Sequence, residues 1–305
     1  MTPLRICFLN RIRGNQPGGD MVQLDATVAA LRRLGHDAFF LEDFREPAPE
    51  ADIYHNFHIN FGWAREALTG VDYHGVQQLT RSDRFYRRLV ITPIFFPDDH
   101  FGVSFSEMRS FLDRAVAVTP FSERELDEIR HLTGYSGAAT LIPNGTDPSF
   151  FAPNDDSRTG PVMGACTGYP GKQVQLIEDA CGKELGLPCE IVHGLSHDEM
   201  PAAFKRARVF VNASGMEIMS LTTAEALCAG CRVIDTTENR GSAWYGKMPR
   251  AYPTDRERLN ALIWNAYHDR EWDWSPNERA RELTWDYTAL LLEGVYSEVL
   301  AHNEV

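Results

Sequence analysis

The sequence predicts an α/β protein built from two doubly wound, parallel-sheet domains. Three observations carry this. Short apolar runs alternate with amphipathic stretches, the grammar of parallel strands joined by helical crossovers. That grammar breaks at one turn-rich stretch and then restarts. A chain of 305 residues suffices for about two domains, each with its own core.

Leu4-Arg5-Ile6-Cys7-Phe8-Leu9 reads as the first strand. A loop with Gly14, Pro17, Gly18, Gly19 and Asp20 follows. Met21, Leu24, Val28 and Leu31 then recur at helical spacing, and Gly35 is placed to end that helix as a C-cap. His36 to Leu41 reads as the second strand. Ala51 to His55, Arg88 to Thr92, Ala115 to Thr119 and Thr140 to Pro143 read as further strands, with a helix from about Ser122 to His131. Pro148, Pro153, Asn154, Asp155, Asp156, Ser157 and Gly160 then crowd one stretch, where a domain boundary is expected. The expected domains are 1–155 and 156–285. In the second, strands at 162–166, 189–192, 208–211 and 232–234 alternate with helices at 173–182, 198–206 and 222–229. A C-terminal helix, 286–305, is placed to cross back to the first domain. In such sheets ligands bind outside the carboxyl ends of the strands, so the cleft between two facing domains is the expected site.

The net charge of −13 argues against broad binding to phosphate backbones or anionic lipid, which leaves nucleic acid as an acceptor only. No N-terminal secretory signal is visible. The first apolar run, Ile6 to Leu9, is too short for one, and the longest, Leu89 to Phe96, contains Thr92 and Pro93 and cannot span a bilayer. A cytoplasmic location without membrane insertion is expected. The six cysteines are scattered through apolar segments and read as reduced core residues. Cys228-x-x-Cys231 lacks the second ligand pair that zinc needs, so no metal or other cofactor is expected.

Residues 208 to 234 carry the most chemistry. A buried strand ends at Asn212, a loop holds Glu217, and a helix begins near Thr222 with Glu225 in its first turn. The free N–H groups of a helix start form an anion site, so Ser220, Leu221 and Thr222 can hold a diphosphate. Glu225 can accept two hydrogen bonds from vicinal hydroxyls such as those of ribose, and Glu217 can accept hydroxyls of a sugar beyond the phosphates. The competing reading of Thr222-Thr223-Ala224-Glu225 is a capping box, in which Glu225 returns to the N-cap amide.

The spacing Glu217 to Glu225 is E-x7-E. With the preceding strand and the following Ala-Gly-Cys-Arg-Val-Ile, it resembles the donor-site signature of the GT4 family of retaining glycosyltransferases. Gly18-Gly19-Asp20, Val118-Thr119-Pro120-Phe121-Ser122, Ile142-Pro143-Asn144-Gly145-Thr146-Asp147 and His193-Gly194 resemble other segments of that family, in the same order. The resemblance implies a GT-B fold, two Rossmann-like domains facing across a cleft. It also implies a metal-independent transfer of sugar from a nucleotide-sugar donor to a hydroxyl acceptor.

It further implies roles for particular residues. Glu217 would contact the sugar and Glu225 the ribose. Ile218, Met219, His193, Gly194, Gly168 and Tyr169 would complete the donor site. Lys172 matches the family's diphosphate lysine, but no arginine stands upstream of it in Thr167-Gly168-Tyr169-Pro170-Gly171; Arg11, Arg13 or Arg240 would have to substitute. His55, His58 and His100 are candidates for a histidine beside the reacting sugar, His55 foremost. Arg11, Gly18, Gly19, Asp20 and Asn144 would lie at the acceptor or phosphate loops. The acceptor would be a glycan, a lipid-linked sugar or a small metabolite. Two alternatives stand beside this. Arg81, Arg84, Arg87 and Arg88 can form either a contact to a modified nucleic-acid base or a solvated face. The missing loop arginine fits a non-catalytic nucleotide-sugar-binding protein.

Overall fold

The computed structural model describes residues 2–9, 19–41, 49–57, 83–97, 104–166 and 170–303. The chain divides into two compact units, Met1–Pro143 with Trp285–Val305, and Asn144–Thr284. Among the described residues each unit holds one five-stranded, all-parallel sheet.

The sheet of unit 1 has the order β2-β1-β3-β4-β5. Its elements run β1 (Arg5–Leu9), α1 (Gly19–Arg33), β2 (Asp37–Phe40), β3 (Ile53–Phe57), α2 (Asp83–Tyr86), β4 (Leu89–Thr92), α3 (Phe105–Leu112), β5 (Ala117–Val118) and α4 (Glu123–Thr133). All of β3 and β4 is buried, as are Ile6 to Leu9 of β1. Such unbroken burial marks a parallel sheet covered on both faces. The predicted stripe of α1 is the face it buries, and Gly35 follows at φ +94°, a left-handed turn that favours glycine. Thr140 to Pro143, expected as a strand, is not one. Thr140 and Ile142 donate to Val118 and Pro120 without forming a ladder, because β5 is only two residues long. The final helix, Trp285–Asn303, packs on α1 and pairs Asp286 with Arg33 and Glu293 with His36.

Unit 2 has the order β10-β9-β8-β6-β7. Its elements run β6 (Val162–Cys166), α5 (Gln175–Glu178), β7 (Cys189–His193), α6 (Met200–Arg206), β8 (Val209–Val211), α7 (Leu221–Cys228), β9 (Arg232–Thr236), β10 (Arg250–Ala251), α8 (Arg256–His268) and α9 (Ser275–Glu282). Val162, Val209, Val211 and Ile234 pack with Ile177, Leu259 and Ile263 in its core. The expected helix at 173–182 is two pieces, α5 and a π-helical stretch at Asp179–Leu185, preceded by a 3-10 turn at Pro170–Lys172.

The division after Pro143 precedes the expected boundary at 155. The intervening residues belong to unit 2. Phe150 packs on Phe204, Ala152 donates to the carbonyl of Cys228, and Arg158 donates to the carbonyls of Ala207 and Ala229. The polar turns that suggested a linker lie flat on the second core. Arg232 of β9 is fully buried there. It donates to Asp156 and to the carbonyl of Ala266, between the rings of Trp272 and Trp274.

Candidate active site

The candidate residues of unit 2 collect at the carboxyl ends of four neighbouring strands, β9, β8, β6 and β7. The loop after β8 is held on both sides. Gly215 N–H donates to the carbonyl of Gly171 at 2.9 Å, tying it to the loop after β6. Glu217 N–H donates to Glu238 O at 3.1 Å, and Arg240 N–H donates to Glu217 O at 3.0 Å, tying the same loop to the one after β9. Between these anchors Lys172 Nζ donates to Glu217 Oε1 in an ion pair, with the two side chains 26% and 12% exposed. A group on the loop after β6 and a group on the loop after β8 thus meet, although 45 positions separate them in sequence.

The helix that follows begins one residue earlier than expected. Ser220 is the N-cap, and its Oγ accepts from Thr223 N–H at 3.3 Å. Glu225 therefore sits in the second turn, out of reach of the cap, and no capping box forms through it. Its carboxylate Oε1 instead meets His197 Nε2 at 2.9 Å. His197 lies between β7 and α6 with its ring against Phe150, the centroids 5.3 Å apart. The hydrogen bond with Glu225 is the largest influence on His197 and raises its pKa above the ordinary histidine value. Leu221 and Thr222 are half-buried at the helix start, while Ile218, Met219 and Ser220 are buried.

A buried carboxylate ties these parts together. Asp235 of β9 accepts from Asn212 Nδ2 (2.9 Å), Thr223 Oγ1 (3.2 Å), Thr236 N–H (3.0 Å) and Asn239 Nδ2 (2.9 Å). Asn212 directly follows β8, Thr223 lies in the first turn of α7, and Asn239 bridges to Glu217. Burial pushes the Asp235 carboxyl up to about 7, against the downward pull of its donors.

No protein-family profile matches the chain, and no curated protein matches its sequence. Solved structures do. Sucrose-phosphate synthase of Thermosynechococcus elongatus matches with a TM-score of 0.76 and 15% identity, over 98% of this chain and 100% of that one. HepE of Anabaena in complex with UDP matches with a TM-score of 0.67 and 14% identity, over 96% and 100%. The catalytic domain of starch synthase IV of Arabidopsis thaliana, bound to ADP and acarbose, matches with a TM-score of 0.68 and 13% identity, over 98% and 100%. The fold is GT-B.

Within this GT-B chain the structure gathers Lys172, Glu217, Ser220, Leu221, Thr222 and Glu225 in unit 2. His193 and Gly194 end β7, both exposed, with Gly194 at φ +65°. Asn144 is buried against the same loop. Its Nδ2 donates to the carbonyl of Met219 at 3.2 Å, so it braces the segment that precedes the α7 cap. Gly19 and Asp20 open α1 in unit 1.

His55 does not fit its expected catalytic role. It is fully buried in unit 1, with Nδ1 2.6 Å from Tyr296 OH and Nε2 2.8 Å from Thr92 Oγ1. Thr92 in turn meets Thr119 Oγ1 at 2.7 Å, and Thr119 donates to the carbonyl of Ile91. One proton order satisfies this chain: Tyr296 donates to Nδ1, and Nε2–H donates to Thr92. His55 is therefore a neutral core histidine, and burial pushes its pKa down to about 3. Arg11, Arg13, Gly18, His58, His100, Gly168 and Tyr169 lie outside the described residues, as does Arg81. Arg84 pairs with Glu50 and Arg88 donates to the carbonyl of Ala51, so both are engaged locally. Sequence reasoning missed His197 and Asp235. Neither carries a local signal, since Glu225, which meets His197, and Asn212 and Thr223, which meet Asp235, lie on other elements. No helix among the described residues is long and apolar enough to cross a membrane.

Proposed function

We propose that this chain is a glycosyltransferase of the GT4 type, retaining and metal-independent, that moves a sugar from a nucleotide-sugar donor to a hydroxyl acceptor in the cytoplasm. The observation that carries the reading is the Lys172–Glu217 pair beside the helix start that precedes Glu225. The backbone N–H groups of that start and the Lys172 ammonium suit the two phosphates of a donor. Glu225 suits the ribose diol. Glu217 suits a sugar hydroxyl and offsets positive charge at the anomeric carbon. The chain's structural neighbours are glycosyltransferases, and HepE is in complex with UDP.

In the reaction proposed, the acceptor oxygen bonds to the anomeric carbon on the face from which the diphosphate departs. The bond from that carbon to the diphosphate oxygen breaks, and the acceptor's proton passes to a leaving phosphate oxygen. Lys172 stabilises the charge that builds there. No protein nucleophile and no metal is required. Arg240, whose backbone N–H donates to the carbonyl of Glu217, is our candidate for the missing arginine.

Thermal stabilisation by UDP-, GDP-, ADP-, CDP- and TDP-sugars in EDTA tests this. One nucleotide series should raise the melting temperature of the wild type, and Glu225→Ala should abolish the shift. A shift that survives Glu225→Ala, or no shift with any donor, refutes the assignment. Product anomers from a donor that binds then decide retention.

A further inference from the structure

Two carboxylates at a site for an anionic diphosphate oppose binding, and the structure gives each one its own basic partner. Glu217 has Lys172, and Glu225 has His197. The second pairing differs from the first, because only imidazole changes charge near neutral pH. The Glu225 side chain is 7% exposed and that of His197 is 37% exposed. A nearly buried charge is thus met by a group that reaches solvent and can exchange its proton there.

We propose that His197 is a positioning residue for Glu225, and that its titration makes nucleotide-sugar binding stronger at lower pH. The inference rests on the donor-site reading above. The Nε2 to Oε1 bond fixes the carboxylate and leaves its other lone pairs for ribose hydroxyls. With imidazolium the pair is neutral. With neutral imidazole it carries one net negative charge, which repels a diphosphate. Phe150 holds the ring in place from the other element packed against it.

The charged groups facing His197 are Glu225 on α7, Asp147 in the segment leading to Phe150, and Asp198 beside it in the chain. All three favour the cation, the Glu225 bond most, so the titration falls above the ordinary histidine range of about 6.5. The sign follows. Binding is strong while His197 is protonated and weakens as pH rises through its raised pKa.

The test uses UDP-glucose, ADP-glucose and GDP-glucose, whose diphosphates carry no titrating terminal group. Affinity is measured calorimetrically from about pH 5.5 to about pH 8.5. The wild type should bind one probe about fivefold more weakly above the transition than below it. His197→Gln keeps a neutral donor for Glu225, and it should bind that probe at about the wild-type high-pH affinity with a flat profile. In the free protein, an NMR titration should place the His197 pKa above the ordinary range, and Glu225→Gln should lower it. A flat wild-type profile, a slope that survives His197→Gln, or a His197 titration unmoved by Glu225→Gln overturns the inference and leaves the donor site standing. Failure of all three probes to bind at any pH removes the donor site, and the inference with it.

Discussion

At the scale of single residues, the Lys172–Glu217 pair makes the most direct prediction. Lys172→Met should lower kcat/KM about 100-fold to 1,000-fold, because it removes the charge proposed to stabilise the leaving group. Glu217→Gln should lower kcat with a smaller change in donor KM. Steady-state kinetics with the donor that stabilises the protein check both, and a Lys172→Met effect confined to KM would limit the lysine to ground-state binding.

His55 makes a prediction of a different kind. Its folded pKa is about 3 and its unfolded value is about 6.5. Below pH 6.5 or so the unfolded chain takes up a proton that the folded chain refuses, so stability falls as pH drops toward 3. At about pH 5 the loss is about 2 kcal/mol. His55→Gln should remove that slope while costing about 1–3 kcal/mol at neutral pH, as urea unfolding at the two pH values will show. The two glutamates and Lys172 were legible in the sequence because each lies in a short string with its own signal, a strand, a loop and a helix start. His197 was not, since its partner Glu225 is 28 positions away on another element. His55 was misread for the same reason: a histidine on a short apolar strand does not reveal the tyrosine from the final helix that closes over it.

At the scale of elements, the strand-to-helix turn of β8 and α7 holds the site's shape. Ser220 caps the helix whose start is proposed to hold phosphate. Ser220→Ala should cost about 1 kcal/mol of stability in chemical denaturation, and should weaken donor binding as the first turn frays. The sequence located this helix to within a residue. That small error mattered, because an N-cap at Thr222 would have bound Glu225 into a capping box, whereas an N-cap at Ser220 releases it to His197. The apolar strings of β1, β3, β4, β6, β8 and β9 were legible because parallel strands buried on both faces need unbroken apolar runs. The stretch after β6 was not. Its 3-10, α and π turns follow from tertiary contacts such as Gly215 with Gly171 rather than from local propensity.

At the scale of the whole molecule, unit 1 takes its residues from both ends of the chain and unit 2 from the middle. A chain ended after Thr284 loses Tyr296, Asp286 and Glu293, and with them the partners of His55, Arg33 and His36. It also bares the buried packing of α1. That truncation should abolish slow hydrogen exchange in β1, β3 and β4 while leaving protection in β6, β8 and β9. Equal loss in both sheets would refute it. The position of the division was hidden in the sequence because prolines and aspartates from 147 to 160 look like a linker wherever they lie. Only remote contacts, such as Phe150 with Phe204, show that they are wall.

The same arrangement sets an order of assembly during synthesis. The residues of unit 2 are consecutive and precede Trp285–Asn303 in the chain, so they are synthesised before it. Unit 1 is begun first, but its sheet waits with His55 and one side of α1 uncovered until Trp285–Asn303 emerges. The proposed donor-binding half can thus begin to fold on the nascent chain while the older half is still incomplete, and Trp285–Asn303 is the helix that closes that older half.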